Sequence, residues 1–230
     1  MTFTRTYNGS IADPTCPNAS AAHDGPFGYG WTFSYNLSAA TDPGTGNVTV
    51  TQEDGSAVGF VNNSGAYSTA APRYDATLTR TGTAYTYTRG GRSIFTFDTA
   101  TGRLTGITDL AGSKASPAYR TSLAYDGSGQ LSTITDPAGR AYTLTWTGGN
   151  ITALTDTAGR TVTYAYDGDG DLTDVYGIGT TRTPTLQSDN RTQYTYLSGR
   201  HLLASMRTPR NYGGPAGAVT AMTFDAQDRC

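Results

Sequence analysis

The sequence predicts an all-β protein, a curved array of antiparallel β-hairpins. The clearest unit lies at residues 161–172, where Val162, Tyr164 and Tyr166 fall on one face of an extended segment because side chains in a strand alternate between faces. Residue types that favour tight turns follow at 167–170, and an apolar pattern then resumes. Similar segments recur along the chain, and apolar residues do not recur at helical spacing over three turns.

The first strongly patterned stretch is residues 25–36, in which aromatic residues alternate with small or polar ones. Its aromatic residues are Phe27, Tyr29, Trp31, Phe33 and Tyr35. Gly28 and Gly30 leave the opposite face bare, so that face can receive a neighbouring backbone closely. Two interpretations stay open: a core strand that covers the open end of a β-array, or a platform that stacks on sugars or bases.

Two further hairpins are expected between residues 41 and 90, with turns at 53–55 and 80–82. From residue 91 onward the hairpin pattern repeats. We therefore divide the chain into an all-β lead-in segment, 1–90, and a repeat array, 91–230, that is cut in mid-repeat.

Each repeat predicts a strand that ends in an aromatic residue, a turn and a returning strand, with a core period of about 20 residues and insertions at 112–120, 177–191 and 208–218. The residues that mark the repeats are Phe97, Asp98, Tyr125, Asp126, Trp146, Tyr166 and Asp167, with the turn glycines Gly129, Gly149 and Gly170. We expect these glycines to have positive φ. Tyr196 and Phe224 belong to two further copies.

The returning strand of each repeat poses a geometric question. Its apolar residues stand three apart, as in Leu131 and Ile134, which places them on opposite faces of a regular strand. Either a β-bulge intervenes or both faces are partly covered. The sequence leaves both alternatives open.

These motifs resemble the YD-repeat family, also called rearrangement-hotspot (Rhs) repeats. The pairs Tyr125-Asp126 and Tyr166-Asp167 match the Tyr-Asp pair that is the signature of the family's repeat unit. The second half of that repeat unit is matched by TDLAG at 108–112, TDPAGR at 135–140 and TDTAGR at 155–160. FTRTYNG at 3–9 and GPFGYGWTFSYN at 25–36 look like the segment that leads into the array in large bacterial Rhs proteins.

The resemblance implies a structural role. In Rhs proteins the strands coil into a hollow β-shell that encloses a C-terminal toxin or other cargo, so this chain would be part of the wall of a larger secreted or surface-associated bacterial protein. Its partners would be adjacent repeats and the enclosed cargo domain. Unpaired edge strands would also invite self-association.

Composition excludes several other classes. A net charge of −2 and 15% charged residues give no electrostatic footprint of a nucleic-acid binder. We expect no membrane-spanning segment or signal peptide in this stretch, and targeting would lie elsewhere. Cys16 and Cys230 are too few for a disulfide framework, and their redox state is undetermined. His23 and His201 accompany no nucleophile motif, so we expect no enzyme and no cofactor.

Two acidic motifs are candidate chemical sites. Asp167, Asp169 and Asp171 have the alternate spacing of a calcium loop, but Leu172 and Ile178 stand where an EF-hand needs Gly and Glu, so a turn is the favoured interpretation. Residues 136–139 resemble half of a paired Asp-Pro motif with which Rhs proteins resemble aspartyl proteases. The second half is missing, so we expect no such site.

The rival function is a carbohydrate-binding module, because Tyr, Trp, Asn and Asp are residue types that stack on and hydrogen-bond sugars. Its stacking residues would be Trp31, Tyr35 and Trp146. Exposed, coplanar rings in a shallow groove would favour this role, and rings packed beneath a sheet would favour the shell.

Overall fold

The computed structural model describes residues 1–13, 24–70, 75–115, 119–178, 190–209 and 219–223. Cys16, His23, Cys230 and the final repeat copy from Phe224 onward lie outside the described residues, as do most of the predicted insertions at 177–191 and 208–218.

The predicted all-β class is confirmed, and the strands pair antiparallel. The strands are β1 (Arg5–Tyr7), β2 (Asp24–Gly25), β3 (Gly28–Tyr29), β4 (Trp31–Phe33), β5 (Ser38–Thr41), β6 (Val48–Thr51), β7 (Ala57–Asn63), β8 (Ala66–Thr69), β9 (Ala76–Thr81), β10 (Ala84–Arg89), β11 (Ser93–Asp98), β12 (Leu104–Asp109), β13 (Thr121–Tyr125), β14 (Leu131–Thr135), β15 (Ala141–Thr147), β16 (Asn150–Asp156), β17 (Thr161–Tyr166), β18 (Leu172–Tyr176), β19 (Arg191–Tyr196), β20 (Leu203–Arg207) and β21 (Thr220–Ala221).

Helical structure in the described residues is limited to a 3₁₀ turn at Gly9–Ile11 and a short helix, α1, at Leu110–Lys114. The sequence did not predict α1. Its first turn is capped by Asp109, whose carboxylate accepts a hydrogen bond from the Gly112 amide at 2.6 Å. No helix in the described part of the chain is long and apolar enough to cross a membrane.

The chain forms two compact units: unit 1 comprises residues 1–5 and 33–141, and unit 2 comprises residues 6–32 and 142–230. Each unit therefore combines part of the lead-in segment with part of the repeats. The division into lead-in segment and repeat array follows the sequence pattern, and it stays a prediction.

Unit 1 contains a four-stranded sheet, β5–β8, and the successive antiparallel strands β9–β14. The expected hairpin turns at 53–55 and 80–82 are present: Gln52 and Ser56 close the first, and Thr81 opposes Ala84 in the second. The core is built from alternate strand residues, which include Val48, Val50, Val58, Phe60, Tyr85, Tyr87, Phe95, Phe97 and Leu104.

Unit 2 contains the strands β15–β21, in which each described neighbour along the chain is also a neighbour in the sheet. The shared register of β15 and β17 predicts that six side chains are buried on one face of the sheet: Tyr142, Leu144, Trp146, Val162, Tyr164 and Tyr166. Leu144 and Tyr164 are buried, whereas Trp146 and Tyr166 are half-buried. Tyr142 and Val162 are half-buried too, so the predicted burial holds only for the two residues in the middle of the strands, and the residues nearer the strand ends keep partial solvent contact.

Candidate functional site

A β-bulge beside the turn explains why apolar residues stand three apart in the returning strands. In the hairpin β15–β16, Trp146 opposes Ile151 but Thr145 opposes Ala153, so Thr152 has no opposite residue. The same shift occurs between Thr96 and Phe97, Ala124 and Tyr125, Ala165 and Tyr166, and Thr195 and Tyr196. Because one residue is added, Ile151 and Leu154 both become buried, at 0% and 6% exposure.

The bulged residue carries a hydroxyl group in four of these five hairpins. Its hydroxyl donates a hydrogen bond across the hairpin. The acceptor is the carbonyl of the residue that precedes the aromatic residue marking the repeat. The bonds are Thr105 to Thr96 (3.1 Å), Ser132 to Ala124 (3.1 Å), Thr152 to Thr145 (3.3 Å) and Thr173 to Ala165 (3.2 Å). The fifth hairpin has Ala204 at this position. The side chain thus supplies a hydrogen bond at the point where the bulge disrupts the ladder.

The marker tyrosines link each hairpin to the preceding one. The Tyr125 hydroxyl donates to the Leu104 carbonyl at 2.8 Å in unit 1. In unit 2, the hydroxyls of Tyr166 and Tyr196 donate to the carbonyls of Ile151 and Leu172 at 2.6 and 2.7 Å. We call these three bonds the tyrosine links. In each link the acceptor is the first apolar residue of the preceding returning strand.

The phenols of Tyr125 and Tyr196 are partly removed from water, which penalises a charged phenolate. Burial raises the pKa of Tyr125 to about 12, and it raises the pKa of Tyr196 still further above its ordinary value. Both phenols therefore keep their donor proton throughout the physiological pH range.

Four turns between the strands share one hydrogen-bond pattern. At Asp126, one carboxylate oxygen accepts from the amides of Ser128 and Gln130, both at 2.9 Å. The turns that begin at Asp136, Asp156 and Asp167 repeat this pattern. The positive φ expected of the turn glycines is confirmed: +81° at Gly129, +94° at Gly149 and +86° at Gly170.

In two of these turns an arginine side chain also donates a hydrogen bond to the carboxylate. The Arg160 Nε atom donates to Asp156 at 2.7 Å, and Arg140 makes the same bond to Asp136. The Arg160 guanidinium holds the pKa of the Asp156 carboxyl below its usual value. The carboxylate at the half Asp-Pro motif is thus part of a turn and an ion pair.

The three candidate calcium ligands make other contacts. The Asp167 carboxylate accepts from the amides of Asp169 and Asp171, and the Asp171 carboxylate contacts the ring of His201 at 3.0 Å. Among the described residues, no group of three or more Asp, Glu, His or Cys side chains could hold a metal ion.

Residues 24–31, which we call the strap, lie against the repeats of unit 2. The Pro26 carbonyl accepts a hydrogen bond from the Ile151 amide at 2.8 Å, and the Phe27 ring packs edge-on against Tyr164 at 4.8 Å between centroids. A Cβ atom added to Gly28 would lie 2.3 Å from the Gly170 carbonyl oxygen. The expected close approach of a backbone to the bare face is confirmed at this glycine.

The aromatic stripe of the strap is therefore packed against the protein. Trp31 is 7% exposed; its ring lies 4.9 Å from Tyr194 and its indole N–H donates to the Tyr196 hydroxyl at 2.8 Å. In unit 1, Tyr35 is 9% exposed and donates to the Thr2 carbonyl. Trp146 is half-buried. Trp31 and Tyr35 thus lack the exposure that sugar stacking requires, and the carbohydrate-binding role stays a prediction.

His201 is a site residue that sequence reasoning missed. It has φ of +55°, its ring stacks on Tyr29 at 3.7 Å, and its carbonyl accepts from the Tyr7 hydroxyl at 2.8 Å. Burial raises the pKa of its partner Asp171 above the ordinary value. Only an isolated histidine is visible in the sequence, because every partner except Asp171 comes from the distant lead-in segment.

Residues 1–60 match a family model described as a domain of unknown function, DUF6531. No curated protein matches the chain significantly. Solved structures that are similar to it include the crystal structures of TcdB2-TccC3-Cdc42 (14% identity, 77% of this chain and 9% of that one, TM-score 0.36) and of TcdB2-TccC3 (14%, 90% and 12%, 0.35). A third is the Photorhabdus luminescens Tc holotoxin pore (12%, 79% and 10%, 0.40). The chain spans about a tenth of the length of these solved chains.

Proposed function

We propose that this chain is a structural module: part of the wall of an Rhs-type β-shell that encloses a C-terminal toxin or other cargo in a larger secreted or surface-associated bacterial protein. The observation that carries the proposal is the tyrosine link. Tyr125, Tyr166 and Tyr196 each donate to the returning strand of the preceding hairpin. A hairpin that is bonded and packed to its neighbour at an equivalent position is the element from which a repeat wall is built.

The contacts of the acidic and histidine residues support a non-enzymatic role. Asp136 and Asp156 are bonded to turn amides and arginines, and the described histidine, His201, is engaged by an aspartate, a tyrosine ring and a tyrosine hydroxyl. These side chains hold turns and segments together. We therefore propose that the chain has no catalytic activity of its own and that its partners are adjacent repeats and the enclosed cargo.

The test is protease protection of the cargo. The chain is expressed together with the sequence that flanks it in its gene, and the product is treated with a broad-specificity protease. We expect the segment C-terminal to the repeats to resist cleavage, and to become sensitive when Tyr166 and Tyr196 are both replaced by phenylalanine. Tyr119→Phe is the matched control, because Tyr119 is 62% exposed. A C-terminal segment that is cleaved as fast in the unmodified protein as in the double variant would contradict enclosure.

A further inference from the structure

We propose that the turn at residues 197–202, which we call the docking turn, selects the hairpin of unit 2 on which the lead-in segment docks. Its two basic residues, Arg200 and His201, contact the buried acids Asp13 and Asp171. Apolar packing holds the lead-in segment against the repeats, and the docking turn determines its position along them.

The hairpins of unit 2 offer similar apolar surfaces to the lead-in segment. Phe27 packs against Tyr164 of β17 at 4.8 Å between ring centroids, and Trp31 packs against Tyr194 of β19 at 4.9 Å. Tyr164 and Tyr194 occupy the same position in successive repeats, since each stands two residues before the aromatic residue that marks its repeat. Because the hydrophobic effect is non-directional, packing of this kind distinguishes poorly between neighbouring hairpins.

The docking turn differs in length from the preceding hairpin turn. The turn between β17 and β18 is closed by the Asp167 amide, which donates to the Asp171 carbonyl at 3.0 Å. In the docking turn the Leu197 amide donates to the Leu202 carbonyl at 2.8 Å, so this turn holds one residue more. The longer turn includes His201 in a left-handed conformation, φ +55°, which a non-glycine residue adopts only where its surroundings hold it.

Arg200 of the docking turn pairs with Asp13 of the lead-in segment. The Asp13 side chain is 0% exposed, and one of its carboxylate oxygens accepts from the Arg200 Nε atom at 2.9 Å and from a terminal guanidinium nitrogen. A carboxylate that is removed from water carries a large free-energy penalty unless a partner compensates its charge. Asp13 can therefore be buried beside Arg200 but not beside an uncharged or acidic turn.

His201 joins two further lead-in residues to the docking turn. Its ring stacks on Tyr29 at 3.7 Å between centroids, and its carbonyl accepts a hydrogen bond from the Tyr7 hydroxyl at 2.8 Å. The Nδ1 atom of the same ring lies 3.0 Å from both carboxylate oxygens of Asp171, which fixes the ring against the preceding hairpin turn. Tyr7, Asp13 and Tyr29 thus meet on two adjacent residues of one turn.

The preceding hairpin turns in unit 2 would not accept Asp13. The turn between β15 and β16 is formed by Gly148 and Gly149, which carry no charge. The turn at 167–171 contains three aspartates and no basic residue. Displacement of the lead-in segment by one hairpin would bring Asp13 to these carboxylates, where burial without a cation and like-charge repulsion both oppose docking. The acidic motif that resembles a calcium loop thus acts against a displaced position.

The ion pair of Asp13 and Arg200 is suited to specify position rather than to add stability. Replacing a buried ion pair with apolar residues of similar volume is often neutral or stabilising, and fixing register is the best-attested role of buried polar groups. We therefore expect the pair to be dispensable for folding of the chain but necessary for a single docked position.

The experiment counts docked positions by fluorine NMR of the full chain labelled with fluorotryptophan. The chain has two tryptophans, and Trp146→Phe assigns the signal of Trp31. Trp31 reports docking because its ring contacts Tyr194 and its indole N–H donates to the Tyr196 hydroxyl. The wild type should give one Trp31 signal.

The test variant combines Asp13→Val with Arg200→Met. We expect part of the Trp31 intensity to move to additional signals, while the midpoint of urea unfolding stays unchanged or rises. The matched control combines Asp156→Val with Arg160→Met, which removes an aspartate–arginine pair from another turn of unit 2. Trp31 should keep one signal in the control.

A test variant that keeps a single, unshifted Trp31 signal would overturn the proposal, whether or not its urea midpoint falls. Additional signals that coincide with those of the urea-unfolded chain, or that also arise in the control, would overturn it too. If the test variant lacks a native circular dichroism spectrum, His201→Gly takes its place, because glycine accepts the left-handed conformation. His201→Gly should likewise give additional Trp31 signals, and a single signal there would overturn the proposal equally.

Discussion

Replacing Tyr166 with phenylalanine removes one hydroxyl group and leaves the ring. That hydroxyl donates to the Ile151 carbonyl at 2.6 Å, in a half-buried position. A typical hydrogen bond contributes about 0.5–1.5 kcal/mol net, and an acceptor left without its partner away from water costs about 1–3 kcal/mol. Because Tyr166 is only half-buried, water can partly replace the lost donor. We therefore expect the free energy of unfolding to fall by about 1–2 kcal/mol.

The assay is urea unfolding followed by far-ultraviolet circular dichroism, with amide hydrogen exchange of β16–β18 to localise the loss to unit 2. For a chain of this size, each kcal/mol also lowers Tm by about 2–4 °C. Tyr119→Phe provides the control for hydroxyl removal at an exposed tyrosine. If Tyr166→Phe loses no more stability than Tyr119→Phe, the tyrosine link does not hold the hairpins together.

Three further predictions follow from the hairpin geometry. Thr152→Val should lower the free energy of unfolding by about 1 kcal/mol because it removes the hydroxyl bond at the bulge, whereas Ala204→Thr, which adds a hydroxyl at the equivalent position, should raise it; both are measured by urea unfolding. Gly149→Ala should cost about 1 kcal/mol, because φ is +94° there and no atom crowds the site, while Gly168→Ala should be nearly neutral in thermal unfolding. Burial raises the Tyr125 pKa from its ordinary value of 10 to about 12 in the folded state. The contribution of Tyr125 to stability is therefore complete below pH 10 and is lost as pH rises from 10 towards 12. Urea midpoints across this pH range should fall less steeply in Tyr125→Phe than in the wild type.

Strand and turn positions could be predicted from the sequence because they depend on local signals. Alternation at Val162, Tyr164 and Tyr166 marks one strand face, and Gly170 marks a backbone conformation that other residues avoid. The bulge could only be offered as one of two alternatives, since apolar residues three apart fit either. The hydroxyl at the bulge has a sequence signal in hindsight: Ser or Thr immediately follows the first apolar residue of four returning strands.

The contacts of the lead-in segment could not be predicted in the same way. His201 is bonded to Tyr7 across 194 residues of sequence, and no local pattern encodes such a pairing. The same holds for the grouping of residues 6–32 with the later repeats in unit 2. These contacts arise from tertiary packing between residues that are far apart in the sequence. The linear order of the lead-in segment and the repeats therefore does not predict them.

Electron cryomicroscopy of this chain, together with the sequence that flanks it in its gene, tests whether the hairpins belong to a wall that encloses cargo. We expect the hairpins of this chain to pair edge to edge with further hairpins of the parent protein, with density for a separate domain enclosed on one side. Strands that instead close into a free-standing domain around an aromatic-lined pocket, with no enclosed density, would contradict it.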